Sequence, residues 1–167
     1  MHSPGALRVA GFVTAALMTL LTAVTSEMRP AQAPPESGHT VTLDAFTATA
    51  GQVARLHADG ARPVCRLRVA VWEPHRPDAA RFPSAVLADH LGLFGDRWLD
   101  IRRWDTLAPV LSDRMRLCRQ KGFELVRLGD DWAHPGGVGL TGTDWQRFGA
   151  RVDALADEHG LALVAAR

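Results

Sequence analysis

The sequence predicts an α/β fold in which the strands lie parallel. Three observations carry this. From residue 41 onward, short β-branched runs alternate with longer runs whose apolar residues recur at helical spacing. Gly60, Gly122 and Gly160 each stand between a helical run and the next strand-like run, where a helix stop belongs. Consecutive strands joined through a helix are held parallel by right-handed crossovers.

Taken in order, residues 41–46 (VTLDAF) read as the first strand, with the acid Asp44 at its close. Residues 48–58 form a short helix with Val53 and Leu56 on one side, ended by Gly60. Residues 62–71 are a β-branched strand, and an irregular section broken by Pro74, Pro77 and Pro83 follows. The next strand is 97–101. Asp105 or Thr106 caps a helix running to Lys121, with Leu107, Leu111, Met115 and Cys118 as its apolar stripe. Residues 123–127 are another strand. Residues 143–146 (TDWQ) match a capping box, opening a helix that places Trp145, Phe148, Val152, Leu155 and His159 on one face. Residues 161–165 close the series.

The N-terminal segment is of a different kind. Arg8 precedes a charge-free apolar run, residues 9–24, and small or polar residues follow. This is the pattern of a secretory signal peptide over residues 1–33, cleaved after Ala31-Gln32-Ala33 or earlier near Ser26. The run is shorter than the roughly 20 apolar residues that span a bilayer. The expected location is therefore secreted and extracellular. Residues 34–40 form a Pro-rich linker, and residues 41–167 the folded domain.

Without residues 1–33, basic and acidic side chains are equal in number. Such a balance gives no footprint for nucleic acid or for an anionic membrane surface. Cys65 and Cys118 in an exported chain point to one disulfide, with two buried free thiols as the alternative. The histidines lack metal-ligand spacing, so a metal site is not expected. Ser84 and Ser112 lack elbow glycines, and no glycine-rich phosphate loop is present, so no cofactor is expected.

A set of motifs occurs in one order and spacing: Trp72-Glu73, Arg76-Pro77-Asp78-Ala79, Phe82-Pro83, the block 97–102 (RWLDIR), Arg114, Lys121-Gly122-Phe123 and Leu140-Thr141. Together they resemble glycoside hydrolase family 114, the endo-α-1,4-polygalactosaminidase-like barrel domain, over residues 41–164. The resemblance implies a partial (β/α) TIM-type barrel of about five parallel strands, lacking the family's first strand and last βα units. It also implies hydrolysis of galactosamine-containing polysaccharide by acids at the carboxyl ends of barrel strands. Glycosidases need two carboxyl groups flanking the scissile bond, one protonated and one ionised.

Asp44, Glu73 and Asp100 each lie at or just past a predicted strand end, and Asp130 follows the strand at 123–127. Glu73, Asp44 and Asp130 are the catalytic candidates. Each has a plainer reading. Asp44 also suits a helix N-terminus, Glu73 an ion pair with Arg76 or Arg102, and Asp100 a bond to Arg102 or a turn. Trp72 and Trp98 suit either a sugar face or the core.

Two departures from the family pattern bear on activity. Arg66 and Arg68 stand where the family carries a tyrosine and a serine, on one strand face where unpaired guanidinium groups are costly to bury. Arg127 and Gly129 stand where the family carries its Glu and Asp. An arginine neither gives nor takes a proton near neutral pH. Arg66, Arg68 and Arg127 are thus candidate ligand contacts with Trp72 and Asp100, or relics of a site out of use. Two functions stay open: a glycosidase with weak or lost catalysis, and a non-catalytic polysaccharide-binding relative. Open edges of a partial barrel also invite self-association.

Overall fold

In chain order the elements are β1 (Thr40–Asp44), α1 (Ala50–Ala58), β2 (Arg62–Leu67), β3 (Val71–Trp72), β4 (Leu87–Leu91), β5 (Arg97–Leu99), α2 (Trp104–Gln120), β6 (Leu125–Leu128), α3 (Gly142–Glu158) and β7 (Ala162–Leu163). They are seen in a computed structural model that describes residues 38–91, 94–129 and 139–164. All lie within one folded unit, Pro35–Arg167. The signal segment and most of the linker, with Asp130, lie outside the described residues.

The main sheet is parallel, in the order β1-β2-β6-β7, with β1 and β7 at its edges. Its register places Asp44, Arg66 and Arg127 side by side across three strands. Side chains alternate between faces along each strand. Cys65, Leu67 and Val126 therefore face the helices, where they are buried with Leu107, Leu111 and Met115 of α2 and Phe148 and Val152 of α3. Thr42, Arg66 and Arg127 share the opposite face, where Thr42 and Arg66 are exposed.

Cys65 and Cys118 form a disulfide with a Cα separation of 6.0 Å. It ties β2 to α2 through the middle of the core.

Local signals explain the helix ends except the start of α2, which begins at Trp104 with Arg103 as an N-cap that makes no side-chain bond, ahead of the expected Asp105 or Thr106. The C-terminal stops use positive φ at Gly60 (75°), Gly122 (92°) and Gly160 (66°), a conformation that costs glycine nothing. Helix α1 is held by a capping box of Thr49 and Gln52. In α3 the box is Thr141 with Asp144, two residues before the expected Thr143. Thr141 Oγ1 accepts from Asp144 N–H at 3.2 Å, and Asp144 accepts the Thr141 N–H at 2.8 Å.

Two expectations are corrected. The strand expected at 62–71 leaves the main sheet after Leu67. The strand expected at 97–101 does not join the parallel sheet, so the described sheet has four parallel strands. Arg97–Leu99 instead pairs antiparallel with Val71–Trp72 and with Leu87–Leu91, in a second sheet ordered β3-β5-β4. The backbone N–H of Leu99 donates to Ala70 O at 2.9 Å, and that of Asp100 to Val86 O at 2.8 Å. Residue pattern identifies a strand but not its partner.

Candidate active site

The site lies at the carboxyl ends of β1 and β2. Asp44 is the last residue of β1, and its Oδ1 accepts the N–H groups of Phe46 (3.0 Å) and Thr47 (3.3 Å). That turn sends the chain into α1. Glu73 directly follows β3 and is buried, at 5% exposure.

Arg76 joins these two acids. Its Nη1 and Nη2 donate to Asp44 Oδ1 and Oδ2, both at 2.8 Å, a bidentate pair. The same guanidinium donates through Nε to Glu73 Oε2 (2.9 Å) and through Nη2 to Glu73 Oε1 (3.2 Å). It also sits 4.9 Å from the centre of the Phe46 ring, a distance suited to cation–π attraction. Arg68 adds a donor to Glu73 Oε1 at 3.4 Å and a closer one to Asp96 at 2.6 Å. Arg66 approaches Asp44 at 3.8 Å with its side chain 54% exposed. The strand arginines that looked costly on sequence are therefore faced by acids from other parts of the chain.

The electrostatics follow. Burial works to raise the Asp44 pKa, but hydrogen bonds from Arg76 and from the backbone at Phe46 and Thr47, with the charge of Arg76, outweigh it. The carboxyl is held below its ordinary value. The bond to Asp44, helped by Glu73 and opposed by burial, raises the Arg76 pKa, so this guanidinium stays charged. Lys121 supports the same turn by donating to Ala45 O (2.6 Å) and Phe46 O (3.3 Å). Burial pushes its pKa down, against the pull of Asp44.

The other candidates are placed apart. Asp100 forms a two-point pair with Arg102 at 2.7 and 3.0 Å, and that bond, against burial, lowers its pKa. Trp72 donates its indole N–H to Ala79 O at 3.0 Å and packs on the core. Trp98 meets Trp145 edge-on, ring centres 6.4 Å apart. Arg127 reaches from β6 across β2 to Thr42 Oγ1 of β1, 3.2 Å away. Asp130 lies outside the described residues. Among the described residues, no three His, Cys, Asp or Glu side chains are grouped to share a metal ion.

A support beneath the site had no role assigned to it from sequence. Arg114 of α2 is 2% exposed, although it lies on the apolar stripe of its helix. It pairs with both oxygens of Asp78 (2.7 and 3.1 Å) and donates to Arg68 O at 2.5 Å. Its guanidinium lies between the rings of Phe46 and Phe82, at 5.4 and 5.2 Å. Its signals in the sequence were its place, with Asp78, in the family motif set and its charge at a helix position whose neighbours at i−4, i−3 and i+4 are apolar.

A parallel sheet with covering helices, and an acid at the carboxyl end of β1, is the arrangement of a TIM-barrel glycoside hydrolase, present here in part. The chain belongs to glycoside hydrolase family GH114, whose sequence model matches residues 17–167. It is similar in structure to Aspergillus fumigatus Ega3, solved in complex with galactosamine. That match is 22% identical, with a TM-score of 0.69, and covers 78% of this chain and 53% of the other. The glycoside hydrolase domain of PelA from Pseudomonas aeruginosa is 18% identical, with a TM-score of 0.56 and coverage of 75% and 51%. The α-galactosidase TtGalA from Thermus thermophilus, in complex with stachyose, is 17% identical at a TM-score of 0.54, over 76% and 33%. These likenesses establish the fold. The chain spans about half the length of the first two. No curated protein matches it.

Proposed function

We propose that this chain is an exported polysaccharide-binding member of its family that hydrolyses galactosamine-containing polysaccharide weakly or not at all. In this reading residues 1–33 direct export, and residues 34–40 link the signal to the domain. Ligand binds at the carboxyl ends of β1, β2 and β6, the end that barrel enzymes use.

The observation that carries the reading is the Arg76 clamp on Asp44 and Glu73. A glycosidase needs one carboxyl to deliver a proton to the leaving oxygen and another to act as base or nucleophile. Asp44 is kept ionised, which removes it as the acid. Both oxygens of Glu73 already accept from Arg76, and one also from Arg68. Neither side chain is free to meet a glycosidic oxygen unless the clamp opens. Loss of a positioned acid or base costs typically 10²–10⁴-fold in rate.

The test is release of new reducing ends from a galactosamine-rich polysaccharide by the purified exported protein, beside a Glu73→Gln variant. Folding of both is checked by circular dichroism. The expected result is release no greater from the parent than from the variant. Rapid turnover that disappears in Glu73→Gln would restore the carboxylate as catalytic and overturn the proposal.

A further inference from the structure

We propose that the ligand-binding end of the sheet recognises an acidic glycan, one bearing carboxylates, through Arg66 and Arg127. The inference rests on the polysaccharide-binding reading above and names the charge of its ligand.

Arg66 and Arg127 are register partners on the adjacent parallel strands β2 and β6, so their side chains leave one face about 5 Å apart at the backbone. Like charges so placed are destabilising unless something neutralises them. The carboxylate facing Arg66 is Asp44, 3.8 Å away, beyond hydrogen-bond distance. That carboxylate is already held at two points by Arg76. Arg127 gives Nη1 to Thr42, while its Nε is buried and has no hydrogen-bond partner among the described residues.

Arg76 holds Asp44 and Glu73, and Arg68 holds Asp96. Lys121 adds a further positive charge beside Asp44. The acids are consumed internally, and the group left exposed is the guanidinium of Arg66. An ammonium group of galactosamine would meet Arg66 and Arg127 as like charges. A uronate carboxylate would meet the exposed guanidinium of Arg66, with the charge of Arg127 beside it, in charge-assisted hydrogen bonding.

Titration calorimetry of the exported protein with a tetragalacturonate, a tetragalactosamine and a neutral galactose oligomer tests this. The expected order is tightest binding to the uronate, falling as salt is raised. Arg66→Gln and Arg127→Gln should each weaken uronate binding about tenfold, the worth of one charge-assisted bond. Arg66 is exposed, so its variant remains informative if Arg127→Gln fails to fold. Uronate affinity unchanged in the Arg66→Gln protein would overturn the proposal. So would galactosamine binding as tightly as uronate, a result that leaves the polysaccharide-binding reading standing. Binding of none of the three oligomers would remove both.

Discussion

Replacing Arg114 by Met is expected to destabilise the protein by about 3–5 kcal/mol, the range for breaking one side of a buried ion pair. The methionine nearly fills the space, so the loss comes from what is left behind. Asp78, whose side chain is 13% exposed, keeps a charge without its two-point partner. The Arg68 carbonyl loses its donor, and the rings of Phe46 and Phe82 lose the cation between them. An Asp78→Asn change in the Arg114→Met background should recover part of the loss, because the orphaned charge is then gone. Urea unfolding of the three proteins measures this. A single variant within about 1 kcal/mol of the parent would show that Arg114 is not the anchor described here.

Removing the disulfide by Cys65→Ala with Cys118→Ala is expected to cost about 4 kcal/mol by the loop-entropy relation, given the sequence separation of 53 residues. Both sulfurs lie in the core with no exposure, so lost packing adds to the chain-entropy effect. The bridge joins β2, which carries Arg66 and leads to Arg68, to α2, which carries Arg114. Its loss therefore loosens the site's supports as well as the global fold. Unfolding midpoints with and without reductant give a second reading on the parent protein. An unchanged midpoint in the double variant would contradict this role.

The main sheet was legible in the sequence because its evidence is local. β-branched runs, helical stripes and three terminating glycines each lie within one element. The start of α3 was misplaced because Thr141 and Thr143 each have a capping partner three residues on, Asp144 and Gln146. Only the backbone conformation of Thr141 (φ −96°, ψ 163°) decides between them. The pairing of β5 was illegible for a different reason. Trp98 and Leu99 read as a buried strand, and nothing local distinguishes a barrel strand from one that folds back on β3 and β4.

The site was half legible. Glu73 and Arg76 are three residues apart, and their pairing could be written down as an option. Asp44 is 32 residues from Arg76, and the three-way clamp exists only once β1 and β3 are brought together. The same holds for Asp96, 28 residues from the Arg68 that it neutralises. Distant acids had already answered the burial cost of the strand arginines.

Arg76 holds the Asp44 carboxyl below its ordinary pKa. Carboxyl ¹³C NMR titration of Asp44 tests this most directly, with Arg76→Gln as the comparison. The folded pKa of Asp44 lies below its unfolded value of 3.8. The pair therefore contributes stability above that value and loses it as pH falls through the folded pKa. The account predicts that Asp44 titrates below its ordinary value in the parent protein and moves upward in Arg76→Gln. A carboxyl that titrates at or above its ordinary value, and does not respond to the loss of Arg76, would contradict the clamp and return Asp44 to the list of working acids.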